Sequence, residues 1–289
     1  MGGGRPRVAV VGHVEWVRFA RVEQVPRAGE VVHAREGIEE PAGGGAVAAV
    51  QLARLAGTCV LVTALGEDEH GRRSVQRLDE LGVEVRAAWR SQPTRTAVTL
   101  VDDAGERTIT TFGPRLEPLG EDIELGWSEL AGMDAVYVTA GDVGALRAAR
   151  AARILVASPR AVGALGHGVA LDALVLSGRD AIERGEATQA QDEAELVAYT
   201  RGADGGVYRT RSGDSGSWAP APVEGVAVDS YGCGDSFVAG LTYGLGAGMA
   251  TPAALGVAAR CGAVCLTGRG PYERQLNGGE LASDERAGS

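Results

Sequence analysis

Val226-Ala227-Val228-Asp229-Ser230-Tyr231-Gly232-Cys233-Gly234-Asp235-Ser236-Phe237-Val238-Ala239-Gly240-Leu241 is the stretch whose reading decides the fold. An apolar run, a glycine-punctuated turn and an amphipathic segment predict strand, loop and helix in that order. Gly232 and Gly234 bracket one small residue, so the backbone turns tightly and leaves successive N–H groups pointing outward where the helix begins. Those amides and the positive end of the helix dipole act together on an anion, and such a loop attracts phosphate. Asp235 falls in the first helical turn. Taken by itself, that carboxylate is explained equally well as a cap.

The run as a whole says more. Asp229-Ser230-Tyr231-Gly232-Cys233-Gly234-Asp235-Ser236-Phe237 resembles the C-terminal signature of the PfkB (ribokinase-like) family of small-molecule kinases, Asp-Thr-Thr-Gly-Ala-Gly-Asp-x-Phe. The resemblance implies an α/β fold: a three-layer α/β/α body with a mostly parallel central sheet and a small inserted β-sheet lid. It also implies that the amides of Gly232, Cys233 and Gly234 form an anion hole for the transferring phosphoryl group, and that Asp235 takes the proton from the acceptor hydroxyl. The chemistry agrees, because phosphoryl transfer runs through a loose transition state for which positioning matters most and a weak base suffices. ATP and Mg²⁺ are the implied cofactors. Asp229 and Tyr231 hold the positions where family members bind a monovalent cation, K⁺.

Composition sets the outer limits. A chain of 289 residues can bury a substantial core, and its abundance of Ala, Gly, Val and Leu with few aromatics favours close helix-on-sheet packing. The net charge of −10 argues against a general nucleic-acid or anionic-membrane surface and favours a small-molecule partner. Cys59, Cys233, Cys261 and Cys265 have neither metal-finger nor disulfide-framework spacing, which fits a reducing cytoplasm. The opening Met-Gly-Gly-Gly-Arg-Pro-Arg leads into a run too brief for a signal core or a membrane span, so a cytoplasmic location is expected.

In chain order, Val8-Ala9-Val10-Val11-Gly12 reads as a buried parallel strand. From His13 to Glu36 the residues favour β-structure around a Pro-Arg-Ala-Gly turn, and two exposed strands are expected there. A hairpin follows, with Thr96–Val101 and Arg107–Phe112 flanking Asp102-Asp103-Ala104-Gly105. The two pieces, about 13–38 and 92–113, match the family's lid within a single 1–289 kinase domain. A lid suits a kinase because water must not take the phosphoryl group. Between the pieces, Gly43, Gly44 and Gly45 open an Ala-rich helix closed by Gly57.

By resemblance this glycine loop lines the acceptor pocket, with departures. Family members carry an Asn early in the helix where Val47 stands, and an Asp that grips substrate hydroxyls where Val17 stands. Residues two apart on a strand share a face, so His13 and Glu15 lie alongside Val17 as candidate substrate ligands, Glu15 with a carboxylate able to reach a hydroxyl. Without a ligand, the same pair is a solvated strand face. Trp16 faces the other way, as lid core. These changes put a plain ribose or hexose acceptor in doubt.

The remaining body alternates strand and helix. Gly66-Glu67-Asp68-Glu69-His70-Gly71 matches a family pattern, and Asp68 reads first as a helix start. Ser177-Gly178-Arg179-Asp180 stands where the family shows Asn-x-x-Glu, which orders magnesium and phosphates; Asp180 is the candidate metal residue and Ser177 a nucleotide-side one, with helix capping by Ser177 as the plain explanation. Thr200-Arg201-Gly202-Ala203-Asp204-Gly205 resembles the family's Thr-x-Gly-x-x-Gly, so Thr200, Gly202 and Gly205 are expected to contact ATP. The interval 177–200 is expected to lack a helix, and 277–289 to fray as a tail.

The conclusion from sequence is an ATP-dependent kinase acting on a hydroxyl of a small sugar, polyol or sugar derivative. A nucleoside kinase of the same fold, using Val17 and Val47 against a base, is one rival. A ligand-binding or regulatory protein that kept the fold and lost the chemistry is the other. The family also leads one to expect a homodimer joined through the lid.

Overall fold

The computed structural model describes residues 4–178 and 187–287. A nine-stranded sheet carries the body, in the order β13-β12-β11-β10-β9-β8-β1-β4-β5. Its strands are β1 (Val8–Val11), β4 (Cys59–Gly66), β5 (Val83–Arg90), β8 (Ala135–Val138), β9 (Ile154–Ala157), β10 (Leu171–Ser177), β11 (Ala194–Thr200), β12 (Gly206–Thr210) and β13 (Ser215–Trp218). Every pairing from β11 across to β5 is parallel, and β12 and β13 close one edge antiparallel.

The sequences VAVV, AVYV and ILVA are apolar throughout because both faces of these strands are covered. Val8, Val10, Leu61 and Tyr137 face one layer, packed with helices α1 (Gly44–Ala56), α5 (Cys233–Gly246) and α6 (Thr251–Cys265). Their strand neighbours Ala9, Val11, Val62 and Val138 face the other, where α3 (Val143–Ala149) lies. Alternation along each strand therefore builds three layers. The remaining helices are α2 (Glu69–Glu80), α4 (Thr188–Glu193) and α7 (Gly278–Ala287).

A separate four-stranded sheet, ordered β3-β2-β6-β7, is made of β2 (Glu15–Arg21), β3 (Glu36–Ala42), β6 (Thr96–Val101) and β7 (Arg107–Phe112). Asp102 turns the β6–β7 hairpin by accepting the amides of Ala104 and Glu106, both at 3.0 Å. Asp68 caps α2 by accepting Gly71 N at 2.8 Å, and also takes the amide and hydroxyl of Thr94 at 2.7 and 2.8 Å. One carboxylate thus starts a body helix and pins the chain where it returns to the small sheet. Trp16 lies on the face of β2 opposite Glu15, stacked on His70 of α2 with ring centroids 5.6 Å apart.

Several local expectations need correcting. Val226–Val228 is not a strand: Val226 is 78% exposed, and the chain is held instead by Val228 N bonding Leu266 O at 2.8 Å. Apolar content alone misled there, since no neighbouring strand is available. The second strand of the first lid piece starts only at Glu36 and runs to Ala42, after the 13–38 range has nearly ended. His13 precedes β2 and is not a strand residue. The interval 177–200 does contain a short helix, α4, whose Gln191 accepts the Tyr199 hydroxyl at 2.6 Å. The expected fraying tail forms α7, and Leu281 is buried against Leu55, Val257 and Leu276. Among the described residues no helix is long and apolar enough to cross a membrane.

Candidate active site

The carboxyl ends of parallel strands are where α/β folds place ligands, and here three of them converge. His13 follows β1, Thr139 follows β8, and Arg160 lies three residues past the end of β9. The N-termini of α1 and α5 point at the same place, bringing Gly43 to Gly45 and Asp235, while Glu15 and Arg95 arrive from the small sheet.

Gly44 marks the centre. A Cβ added there would lie 3.0 Å from Asp235 Oδ1, from Arg160 Nη1 and from Thr139 Oγ1. A carboxylate, a guanidinium and a hydroxyl therefore face one spot that only a side-chain-free residue leaves open. Gly43, at φ 87°, has His13 Nε2 at 3.0 Å and Glu15 Cγ at 3.3 Å from its own Cβ position. Asp235 is 7% exposed and lies 3.3 Å from Arg160. His13 and Glu15 are buried, so they are not a solvated strand face, and His13 Nδ1 has no hydrogen-bond partner.

Burial sets the protonation states here. It pushes the His13 imidazolium well below its ordinary 6.5, helped by Arg115, Arg160 and Arg95. Burial also raises the Glu15 carboxyl above its usual range, against the pull of Arg95 and Arg160 and with Asp235 adding to the rise. Three guanidiniums thus act on the same two side chains. Arg95 meets Glu15 at 3.5 Å, Arg115 pairs with Glu117, and Arg160 faces Asp235. A guanidinium carries five donors, more than one carboxylate uses.

The loop expected to hold an anion does turn into a helix at its glycines. Gly232 caps α5 at φ 80°, and a Cβ there would sit 2.9 Å from Val47 Cγ1. Ser236 N is bonded back to Gly232 O at 2.8 Å, which leaves the amides ahead of it heading the helix. A Cβ on Gly234 would meet nothing within 4 Å. The Cys233 thiol is pushed far up by its hydrogen bond with Cys265 and by burial, and its amide makes only a long bond, 3.5 Å, to Ser230 O. Val47, placed by alignment among acceptor ligands, is fully buried under Gly232 and belongs to the packing that holds the two glycine loops together.

Asp229 and Tyr231 tie this loop in place. The Asp229 carboxylate accepts Tyr231 N at 2.8 Å and Gly270 N at 2.9 Å, one with each oxygen. The Tyr231 hydroxyl accepts Gly43 N at 3.3 Å, and its ring packs edge-on against Phe19 at 4.8 Å. Each Asp229 oxygen accepts one amide and keeps a further lone pair, so the pair acts as a tether and retains the donor atoms a monovalent cation would use.

Ser177 and Thr200, expected from sequence on the nucleotide side, stand abreast at the ends of β10 and β11. Thr200 Oγ1 donates to Leu176 O at 3.4 Å, and Thr200 O accepts Gly178 N at 2.7 Å. Gly202–Asp204 form a single 3₁₀ turn. Gly205, at φ 71°, would place a Cβ 2.1 Å from Trp218 O, so packing of the β12–β13 edge already demands glycine there. Trp218 stacks on Phe237 of α5 at 5.5 Å, which joins this loop to the anion loop's helix. Asp180 lies outside the described residues, among which no three acidic, histidine or cysteine side chains gather as a metal site.

Sequence reasoning missed Thr139, Arg95, Arg115 and Arg160. A usable signal existed for two of them: Thr139 and Arg160 follow a buried parallel strand as His13 does. Arg95 and Arg115 flank the lid hairpin and carry no pattern.

A glycine-bracketed helix start followed by a buried carboxylate, with a second small sheet beside it, is an arrangement that phosphoryl transfer to a small molecule can use. The sequence comparison supplies the family: the pfkB family carbohydrate kinase profile matches residues 5–160 and 171–276, and this chain belongs to that family of phosphotransferases. Among curated relatives, the ATP-dependent ribose-1-phosphate kinase of Halopiger xanaduensis is 30% identical over 252 residues, 81% of this chain and 83% of the relative. Among solved structures, ribokinase from Giardia lamblia superposes with a TM-score of 0.81 at 15% identity, covering 98% of this chain and 99% of the other. The nucleoside kinase of Methanocaldococcus jannaschii gives 0.74 at 14% identity, covering 99% and 100%. These superpositions speak for the fold.

Proposed function

We propose that this ATP-dependent sugar kinase phosphorylates a sugar that already carries an anionic group, of the sugar-1-phosphate class named for its Halopiger relative. The observation that carries the reading is geometric: Arg160 lies 3.3 Å from Asp235 beside the open spot at Gly44, and Arg95 lies 3.5 Å from the buried Glu15, with the charge of Arg115 also acting on His13. A neutral sugar needs hydroxyl and carboxylate partners, whereas planar guanidinium forks match a phosphate bidentately. In this reading the arginines hold the acceptor's phosphate and Glu15 takes a ring hydroxyl. The glycines at 43 to 45 let the ring lie close to the backbone.

Asp235 then removes the proton of the attacking hydroxyl, and the amides of residues 232 to 234 receive the charge spreading onto the transferred group. Ser177, Thr200, Gly202 and Gly205 border the nucleotide, and Mg²⁺ carried on the triphosphate would supply charge neutralisation there. The small sheet closes over the acceptor and keeps water out.

The nucleoside-kinase reading loses its main support, because Val17 and Val47 are both wholly buried and offer no apolar wall to a base. ADP release with ribose-1-phosphate, ribose and uridine at equal concentration tests the choice. Ribose-1-phosphate should be turned over with the highest kcat/KM, and Arg115→Ala, which leaves the Arg160–Asp235 pair intact, should cost it about tenfold or more while affecting ribose little, as one charge-assisted contact predicts. Preference for ribose or uridine would refute the anionic acceptor. No turnover of any acceptor, alike in wild type and Asp235→Asn, would favour a non-catalytic protein.

A further inference from the structure

A second cavity of about 430 Å³ lies between the small sheet and the body, away from Gly44 and Asp235. Phe19, Leu81, Val101 and Tyr272 give it apolar walls, and Arg21 and Arg54 reach into it. Its size is that of a small-ligand pocket. The charge pattern on its wall is uneven. Arg77 is matched by Glu40 and Glu80, and Arg269 by Glu36 and Glu273. Arg54 and Arg21, by contrast, donate only to backbone carbonyls, Tyr272 O at 2.6 Å and Val228 O at 3.4 Å, and neither forms an ion pair among the described residues. Half-buried guanidiniums without a carboxylate are costly unless an anion completes them; burial accordingly lowers the Arg54 pKa.

The cavity also touches the fixings of the anion loop. Asp229 and Gly270, joined by the 2.9 Å bond that anchors the loop, are both on its wall. Phe19 separates it from Tyr231, the residue immediately before Gly232. Anything seated there presses on the Phe19–Tyr231 contact and on the Asp229 tether together.

We infer that this cavity is an effector site for a small anion with an apolar, aromatic-sized body, held by Arg21 and Arg54 and coupled to phosphoryl transfer through Phe19, Tyr231 and Asp229. Occupation is separate from the acceptor pocket, so it holds whatever sugar the kinase uses. The probe is 1-anilinonaphthalene-8-sulfonate, titrated by fluorescence into the full-length protein with ADP saturating the nucleotide site.

Wild type should bind one probe saturably, and the uncharged parent 1-anilinonaphthalene at least tenfold more weakly. Arg54→Gln and Arg21→Gln should each weaken the probe about tenfold or more. Two variants are used because Arg54 also braces Tyr272; Arg21→Gln leaves that contact untouched. With the acceptor found by the ADP-release panel, the probe should change kcat without competing with acceptor or ATP. Absence of saturable binding, binding indifferent to both variants, or displacement by acceptor would overturn the site. Binding that depends on both arginines yet leaves kcat and both KM values unchanged would overturn the coupling.

Discussion

At the scale of single residues the site divides into groups that react and groups that hold shape. In the proposed mechanism Asp235 is in the first class: Asp235→Asn keeps volume and hydrogen bonding but would remove the base, so kcat should fall by about 10²–10⁴-fold with the melting temperature little changed, read by ADP release and calorimetry. His13 is in the second. Its folded pKa lies below the unfolded value of 6.5, so between those two values the unfolded chain binds the proton and the native chain does not. Stability from this residue is complete above about pH 6.5 and is lost as pH falls towards the folded pKa. Thermal melts from pH 7.5 to 5 should therefore show a falling midpoint, and His13→Gln should flatten that slope. The surroundings of His13 were not legible in sequence, because exposure on a strand and burial beneath a glycine loop look the same in a string of letters. Arg160 was less visible still, since it belongs to no motif and acquires meaning only when β9 ends beside Gly44.

At the scale of elements, the start of α5 was readable because its requirement is local: a positive φ at Gly232 and a bare backbone at Gly234 are both written as glycine. The two glycines nevertheless serve different ends, and substitution should separate them. Gly232→Ala meets Val47 at 2.9 Å and a left-handed φ, so it should destabilise the fold by roughly 1–3 kcal/mol in denaturant titration. Gly234→Ala meets nothing within 4 Å, so stability should hold or rise slightly while kcat/KM drops at least tenfold, because the added methyl takes the space meant for the phosphoryl group. Equal activity of the Gly234 variant and wild type would move the phosphate elsewhere. The parallel strands were legible for the same local reason, as runs buried on both faces. Val226–Val228 and the tail were misread because their fate depends on partners far away in sequence, Leu266 for the first and Leu55 and Val257 for the second.

At the scale of the whole molecule, a nine-stranded body and a four-stranded sheet meet over one acceptor floor. The small sheet ends in β7, all six of whose residues are exposed, with Ile109 and Phe112 among them at 42% and 54%. An uncovered edge of this kind invites a further strand. A dimer formed through it is expected in light scattering, and Ile109→Lys should shift the protein towards monomer. The division into layers and the inserted sheet followed from the order of apolar runs, whereas the arginine cluster did not, because it draws on three distant segments. That dispersal has a consequence for how the protein is made. In the proposed mechanism the floor comes from residues 12 to 45 and the base from residue 235, so a nascent chain on the ribosome would remain inert until the helix at 233 emerges. The exposed stretch 222–227 ahead of that helix is then a natural seam for a split gene, whose two products would each be silent and would regain turnover only on reassociation.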